Sequence, residues 1–333
     1  MKINILSCFD GISAGQLALQ RANIDVENYY ASEIDKYAIQ ITKKNYPDTI
    51  HIGDVNNINW NDYVGKIDLL IGGSPCEGFS RCGEKLNFED PRSKLFFKFV
   101  EALQIIKPNY FLFENVKMQK KWQNTISACL CVEPIEINSS LVSAQNRERL
   151  YWTNIENIKQ PKDKNIIFKD ILLDSVDKKF YLSQKEKCYM NRVTSRNRTH
   201  WDFVFHNDVS AKKSHCLSAN LYKGVPYNVV TFSDRCKFGF FDCDFIDDCN
   251  ICKDCDGNNF QENYEVTSAV RKFDPIECER LQTLKDKYTE GISNSQRYKT
   301  IGNGWTVDVI AHILKHMYSG DVQKKYAHAL GLF

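Results

Sequence analysis

No stretch of the chain approaches the roughly 20 consecutive apolar residues that a bilayer-spanning helix requires. A secretory signal is missing as well. Met1 and Lys2 lead into a short strand-like run, residues 3–9, with no small-residue cleavage site, so a cytoplasmic protein of bacterial or phage type is expected. Charge of one sign is not in excess either: 44 Lys and Arg against 42 Asp and Glu leave +2. That is too little to draw in a polyanion by overall attraction, so any nucleic acid would have to meet a local patch. Repeats and low-complexity linkers are absent, and 43% hydrophobic with 26% charged residues excludes a disordered or fibrous chain. The 333 residues suffice for one large domain or two ordinary ones.

Cysteine, by contrast, is plentiful. Disulfides are uncommon in reducing cytosol, so the 13 cysteines are expected as structural thiols, metal ligands or a nucleophile.

The first third of the chain alternates apolar, strand-like runs with helix-like segments: 3–9 then 13–22, 29–32 then 35–45, and 67–71 followed by 93–106 and 110–114. Strands separated by helices of this length predict βαβ units and a mostly parallel sheet. In such a fold ligands bind outside the carboxyl ends of the strands. From about Asn165 the texture turns polar. Residues 178–223 are rich in Lys and Arg with Trp201 and Tyr222 interleaved, and residues 242–256 are acidic and dense in cysteine. Helix-like patterning resumes at 275–284 and 306–317. The expected organisation is a large α/β domain, residues 1–165 plus 266–320, with a smaller module at 166–265 and a tail at 321–333.

Three groups of residues carry the chemistry. The segment Phe9-Asp10-Gly11-Ile12-Ser13-Ala14-Gly15 runs from a strand through a glycine-containing turn into a helix. Glycine lets backbone approach a ligand closely, and a helix N-terminus offers free N–H groups, although an ordinary tight turn uses the same residues. Glu33 ends the next strand, where an acid can bind ribose hydroxyls, and Asp54 follows the third, where a carboxylate could accept from an adenine amino group. Either could equally cap a helix.

The second group is Gly72-Gly73-Ser74-Pro75-Cys76-Glu77-Gly78, directly after an apolar strand. A thiol that follows proline and is flanked by glycines suits an accessible nucleophile, or else a buried small residue. Glu114 ends the neighbouring strand and would share its crevice. In the third group, Gln145-Asn146-Arg147-Glu148-Arg149, the two arginines are spaced by two, which on a strand puts them on one face. They could hold phosphate or a base carbonyl, or simply neutralise carboxylates.

Taken in order, Phe9-Asp10-Gly11, Glu33, Gly53-Asp54-Val55, Pro75-Cys76, Glu114-Asn115-Val116, residues 145–149 and Gly302-Asn303 resemble the motif set of the DNA cytosine-5 methyltransferases. The match spans nearly the whole chain, and residues 139–152 and 302–307 are most similar to the de novo branch. The resemblance implies a Rossmann-like fold dependent on S-adenosylmethionine, with a small inserted target-recognition domain. It implies that Cys76 attacks C6 of a cytosine flipped out of double-stranded DNA, that Glu114 binds the N3 and amino edge, and that Arg147 and Arg149 hold the base and its carbonyl. Cofactor contacts would come from Phe9, Gly11, Gly15, Glu33, Ile34, Asp54, Val55, Pro75, Asn303 and Trp305. A restriction-modification setting and a monomer fit this reading. An RNA cytosine-5 methyltransferase, of tRNA above all, and a catalytically silent DNA-binding homologue stand as its alternatives. Two departures stand out: Glu77 follows the nucleophile where the family commonly has glutamine or asparagine, and Gly304-Trp305 replaces smaller residues of many members.

Outside the family motifs, Cys236, Cys243, Cys249, Cys252 and Cys255 fall within twenty residues. Four of them, with Cys243, Cys249, Cys252 and Cys255 the expected set and Cys236 the substitute, would suit a closed structural Zn2+ site. An iron–sulfur run, calcium bound by the interleaved aspartates, or unliganded thiols are the other readings.

Overall fold

The computed structural model describes residues 2–75, 91–183, 186, 205–222, 228–231 and 270–317. Cys76, Glu77, residues 78–90, the five clustered cysteines and much of the basic segment lie outside the described residues.

A seven-stranded sheet forms the centre, in the order β3-β2-β1-β4-β5-β7-β6. Its parallel part is β1 (Ile3–Cys8), β2 (Val26–Ser32), β3 (Ile50–Gly53), β4 (Leu69–Gly72) and β5 (Tyr110–Val116). The helices between them are α1 (Ala14–Arg21), α2 (Lys36–Asn45) and α3 (Pro91–Ile106). After α4 (Lys120–Leu130), the strands β6 (Ile135–Asn138) and β7 (Glu148–Thr153) form a hairpin-like pair, with β7 inserted antiparallel beside β5.

The central strands read as continuous apolar runs because both faces are covered. Alternate side chains go to opposite sides. Ile5, Leu69, Ile71 and Leu112 join one core with Leu17 of α1 and Ile310, whereas Leu6, Leu70, Phe111 and Phe113 join the other with Phe96, Phe99 and Leu103 of α3. Phe113 sits at the middle of the second core, 4.9 Å from Phe99 and 6.0 Å from Trp152 between ring centroids.

Strands β8 (Phe205–Asp208), β9 (Asn228–Thr231) and β10 (Val270–Lys272) make a second, three-stranded sheet. From it the chain enters α5 (Pro275–Leu281), whose start is well specified: Asp274 and Glu277 form a reciprocal capping box and proline occupies the first turn. Glu277 is also bound bidentately by Arg271 at 2.7 Å for each contact, with both side chains almost wholly buried, so β10 and α5 are clamped together. The chain then forms α6 (Asn294–Asn303) and α7 (Val307–Leu314), and α7 packs against α1.

Strand order reverses between β1, which continues to β2 and β3, and β4, which continues to β5. This is the topological switch point at whose carboxyl edge a ligand crevice opens.

Candidate active site

At that edge lies a cavity of about 380 Å³. Phe9, Gly11, Glu33, Ile34, Asp54 and Val55 line it from the ends of β1, β2 and β3; Pro75 and Glu114 line it from β4 and β5. Arg147 and Arg149 close it beside β7, and Asn303 and Trp305 close it from the end of α6. Twelve of the thirteen described residues singled out in the sequence therefore meet at one site. Gly15 does not. A Cβ there would come within 2.8 Å of Ile71 and 2.9 Å of the Tyr29 hydroxyl, so this glycine serves close packing of α1 on the sheet.

The turn after β1 is left-handed at Phe9, Gly11 and Ser13, with φ of 58°, 60° and 55°. A glycine at 11 carries that conformation without cost, and its amide, freed by the turn, donates to Glu33 Oε2 at 2.7 Å. Glu33 Oε1 accepts from the amides of Ile34 and Asp35 at 2.8 Å each, so three backbone N–H groups fix one carboxylate at the cavity wall. Asp54 caps the short helical turn Val55–Asn57 by accepting from Asn56 N at 2.9 Å through Oδ1. Capping and pocket lining are here the same residue.

Asp10 turns inward instead, accepting from the hydroxyls of Ser13 and of Tyr29, the latter at 2.6 Å. Burial pushes its pKa up from 3.8 to about 6, against the opposing pull of those donors. Because the folded state holds this proton more tightly, the stability contributed is fully present below the unfolded value of 3.8 and is lost as pH rises through about 6. In the cofactor-free protein, Asp10→Asn should therefore show a shallower fall of unfolding free energy between about pH 4 and pH 7 than the unsubstituted chain. Urea titrations across that range check it, and identical slopes would remove the assignment.

Glu114 is held by side chains on both of its oxygens. Arg149 Nε lies 3.1 Å from its Oε1, and Trp305 Nε1 donates to its Oε2 at 3.0 Å. Acid and arginine are only 12% and 14% exposed. The two arginines do face one site, as their spacing predicts, but their partners differ. Arg147, 3% exposed, gives its guanidinium to the carbonyls of Leu217 at 2.9 Å, Gly302 at 3.3 Å and Gly304 at 3.0 Å. It binds the loop before the short helical turn Ala219–Tyr222 to the end of α6. Asn115 reaches Ser74 at 3.4 Å, tethering the chain just before Pro75 and the adjoining Cys76.

Two contributors were not assigned a role from the sequence: Gln145, which opens the arginine segment, and Cys216. Gln145 donates to Leu281 O at 2.6 Å and accepts from Leu217 N at 3.2 Å, tying the same loop to α5. Cys216 lies 3.4 Å from Arg147 Nη1. Burial by itself would raise its thiol pKa, but the guanidiniums of Arg147 and Arg149 outweigh that and bring it below the usual value. No local pattern reveals what either residue holds, because both partnerships span about 70 residues or more. Among the described residues no group of three His, Cys, Asp or Glu side chains is placed to hold a metal ion, and no helix is long and apolar enough to cross a membrane.

A family model described as C-5 cytosine-specific DNA methylase matches residues 3–131 and 138–319. The orphan methyltransferase M.SPRI of Bacillus phage SPR is 26% identical over 436 aligned positions, covering 97% of this chain and 99% of that protein. The type II methyltransferase M.NlaX of Neisseria lactamica is 29% identical, covering 94% of this chain and 95% of that one. Two solved structures share the fold: a mutant of Spodoptera frugiperda DNMT2, with TM-score 0.66, 23% identity and coverage of 95% and 100%, and EhMeth of Entamoeba histolytica, with 0.71, 16%, 96% and 98%. The architecture is thus the Rossmann-like methyltransferase fold expected from the sequence. These relatives are a phage and a bacterial methyltransferase, a Spodoptera DNMT2 and an Entamoeba methyltransferase, and the likeness to the de novo branch rests on residues 139–152 and 302–307 alone. With a family model spanning most of its length and relatives aligned along nearly all of it, this chain belongs to the C-5 cytosine-specific DNA methylases.

Proposed function

We propose that this chain transfers a methyl group from S-adenosylmethionine to C5 of a cytosine in double-stranded DNA, with Cys76 as the nucleophile. One observation carries the reading: a single cavity at the switch point is lined at one end by the fixed carboxylates Glu33 and Asp54 and at the other by the Glu114–Arg149 pair. The donor set suits the cofactor. Its ribose diol and adenine amino group are hydrogen-bond donors that two wall carboxylates can accept from, and Phe9, Ile34 and Val55 offer apolar surface beside them. When bound, S-adenosylmethionine supplies an electrophilic methyl group.

The chain's own residues do the rest. Cytosine C5 is a poor nucleophile, so the thiolate of Cys76 adds to C6 and moves the electron pair toward C5 and N3. N3, where negative charge would develop, takes up a proton as the thiolate adds; Glu114 accepts from that N–H and from the amino group, and Arg149 holds both that acid and the neighbouring base carbonyl. C5 takes the methyl group, whose former sulfur leaves as a neutral thioether. A base then removes the C5 proton, the released electron pair re-forms the C5–C6 double bond and expels the Cys76 thiolate from C6, and N3 gives up its proton. Arg147 acts from behind, by holding the loop that carries Trp305. The target lies within a stacked duplex, so it must be flipped into the cavity at a cost of about a few kcal/mol.

The test is transfer of labelled methyl from S-adenosylmethionine to duplex DNA and, in parallel, to tRNA. Label in DNA alone is the expected result. Label in tRNA alone would reassign the substrate, and label in neither would leave a silent DNA-binding homologue as the better reading.

A further inference from the structure

We propose that Trp305 is a positioning residue of the methylation reaction, its indole N–H setting the orientation of the Glu114 carboxylate against the target base. The inference rests on the reading of Glu114 as the base-binding acid. Trp305 lines the cavity as an aromatic surface, but its geometry does more than that.

The indole spans the site. Its six-membered ring packs by the start of α1, with Cζ3 3.5 Å from where a Gly15 Cβ would stand, while its Nε1 meets Glu114 Oε2 at 3.0 Å. The meeting point is cleared by a glycine: a Cβ on Gly73 would come within 3.0 Å of both Nε1 and Oε2. The indole is also anchored through its backbone, because the carbonyl of the preceding Gly304 accepts from Arg147 at 3.0 Å and from Gln282 at 3.1 Å. Arg147 and Arg149 thus converge on one acid by two routes. Arg149 contacts Oε1 directly; Arg147 acts through Gly304 and the indole on Oε2.

An indole N–H is a donor only and does not ionise, so it orients a carboxylate without competing for its proton. One donor on each oxygen defines the plane of the group. Each oxygen keeps a lone pair for the two N–H groups, amino and N3, that the cytosine edge presents once N3 takes up a proton during the attack. With one donor removed, the carboxylate is held at a single oxygen and can swing about its own bond, which degrades the attack step that Glu114 assists. Cofactor affinity depends on the ring, which phenylalanine retains.

Attack at C6 makes the C5 proton exchangeable, so the attack step can be read without any cofactor as loss of tritium from C5-labelled cytosine in duplex DNA. In Trp305→Phe, cofactor-free exchange and methylation should fall by the same factor, on the order of 10- to 100-fold, while S-adenosylmethionine affinity stays near that of the unsubstituted chain. Gly73→Ala should give the same joint fall, because the added methyl parts the acid from the indole while leaving both residues chemically unchanged. It also serves if Trp305→Phe melts below the assay temperature. Exchange at the unsubstituted rate in both variants, with methylation reduced, would assign the indole to the cofactor alone and overturn the inference while the methyltransferase reading stands. If the unsubstituted chain neither exchanges nor methylates, that reading fails and takes this inference with it.

Discussion

Cys76→Ala is expected to lower methyl transfer to duplex DNA by on the order of 10⁴-fold or more, as loss of a covalent nucleophile does elsewhere. The expectation follows from the substrate. An unactivated cytosine C5 has too little electron density to attack a methyl group, so removing the thiol removes the reaction's only route to a nucleophilic carbon. The pathway that remains would draw on binding and on Glu114 alone. Cys76 lies outside the described residues; of the two residues that precede it, Ser74 is tethered to Asn115 and Pro75 lines the cavity. A duplex carrying 5-fluorocytosine provides a second readout. Fluorine at C5 cannot leave as a proton does, so after methyl transfer the enzyme stays bonded to C6. The unsubstituted chain should form a complex stable to denaturing electrophoresis, and the alanine variant should form none. Methylation within about tenfold of the unsubstituted rate in Cys76→Ala would remove the thiol from the mechanism.

How much of this site could be read from the sequence depended on how local each cause was. Strands β1, β4 and β5 were legible because burial on both faces demands uninterrupted apolar runs. Glu33, Asp54 and Glu114 lie at the carboxyl ends of β2, β3 and β5, which made them candidates; position alone left the first two open as helix caps, and the resemblance to the family motifs singled them out. Strand β3 left a weaker trace: it is a four-residue edge strand whose first side chain, Ile50, is exposed. Helix α6 is polar over most of its length, and its seat is made at a distance, where Gly302 closes on the backbone of Ser218 so tightly that a Cβ would lie 2.4 Å from it.

Glycines and arginines show the limit most clearly. Gly11 and Gly15 look alike in the sequence, but only Gly11 has a left-handed φ and borders the cavity; Gly15 is a packing contact. Arg147 and Arg149 share a period-2 spacing that announces a common face. It says nothing of the carbonyls of Leu217, Gly302 and Gly304, which come from chain segments 70 to 157 residues away and make Arg147 a brace.

Glu114→Gln is the substitution for which the geometry specifies the largest loss among the described residues. It preserves length and shape, so the cavity should persist, but it changes what the group can accept. Both carboxylate oxygens now face donors, Arg149 on one side and the Trp305 N–H on the other. An amide offers one acceptor and one NH2. If its oxygen stays with Arg149, the NH2 meets the indole N–H, donor against donor; if it turns to Trp305, Arg149 loses its carboxylate in a site only 14% exposed. As the thiolate adds, N3 takes up a proton and the edge becomes two N–H donors; neither orientation of the amide meets that edge with two acceptors or with the negative charge that suits it. The turnover number should fall on the order of 10²- to 10³-fold, the scale of losing one group that stabilises developing charge. Duplex affinity should change far less, since phosphate contacts dominate it. Cofactor-free exchange of the C5 proton should drop in step with methylation, placing the defect at the attack on C6. A variant that turns over within a few-fold of the unsubstituted chain, or that fails only through weaker DNA binding, would show that Glu114 braces Arg149 and Trp305 without touching the base.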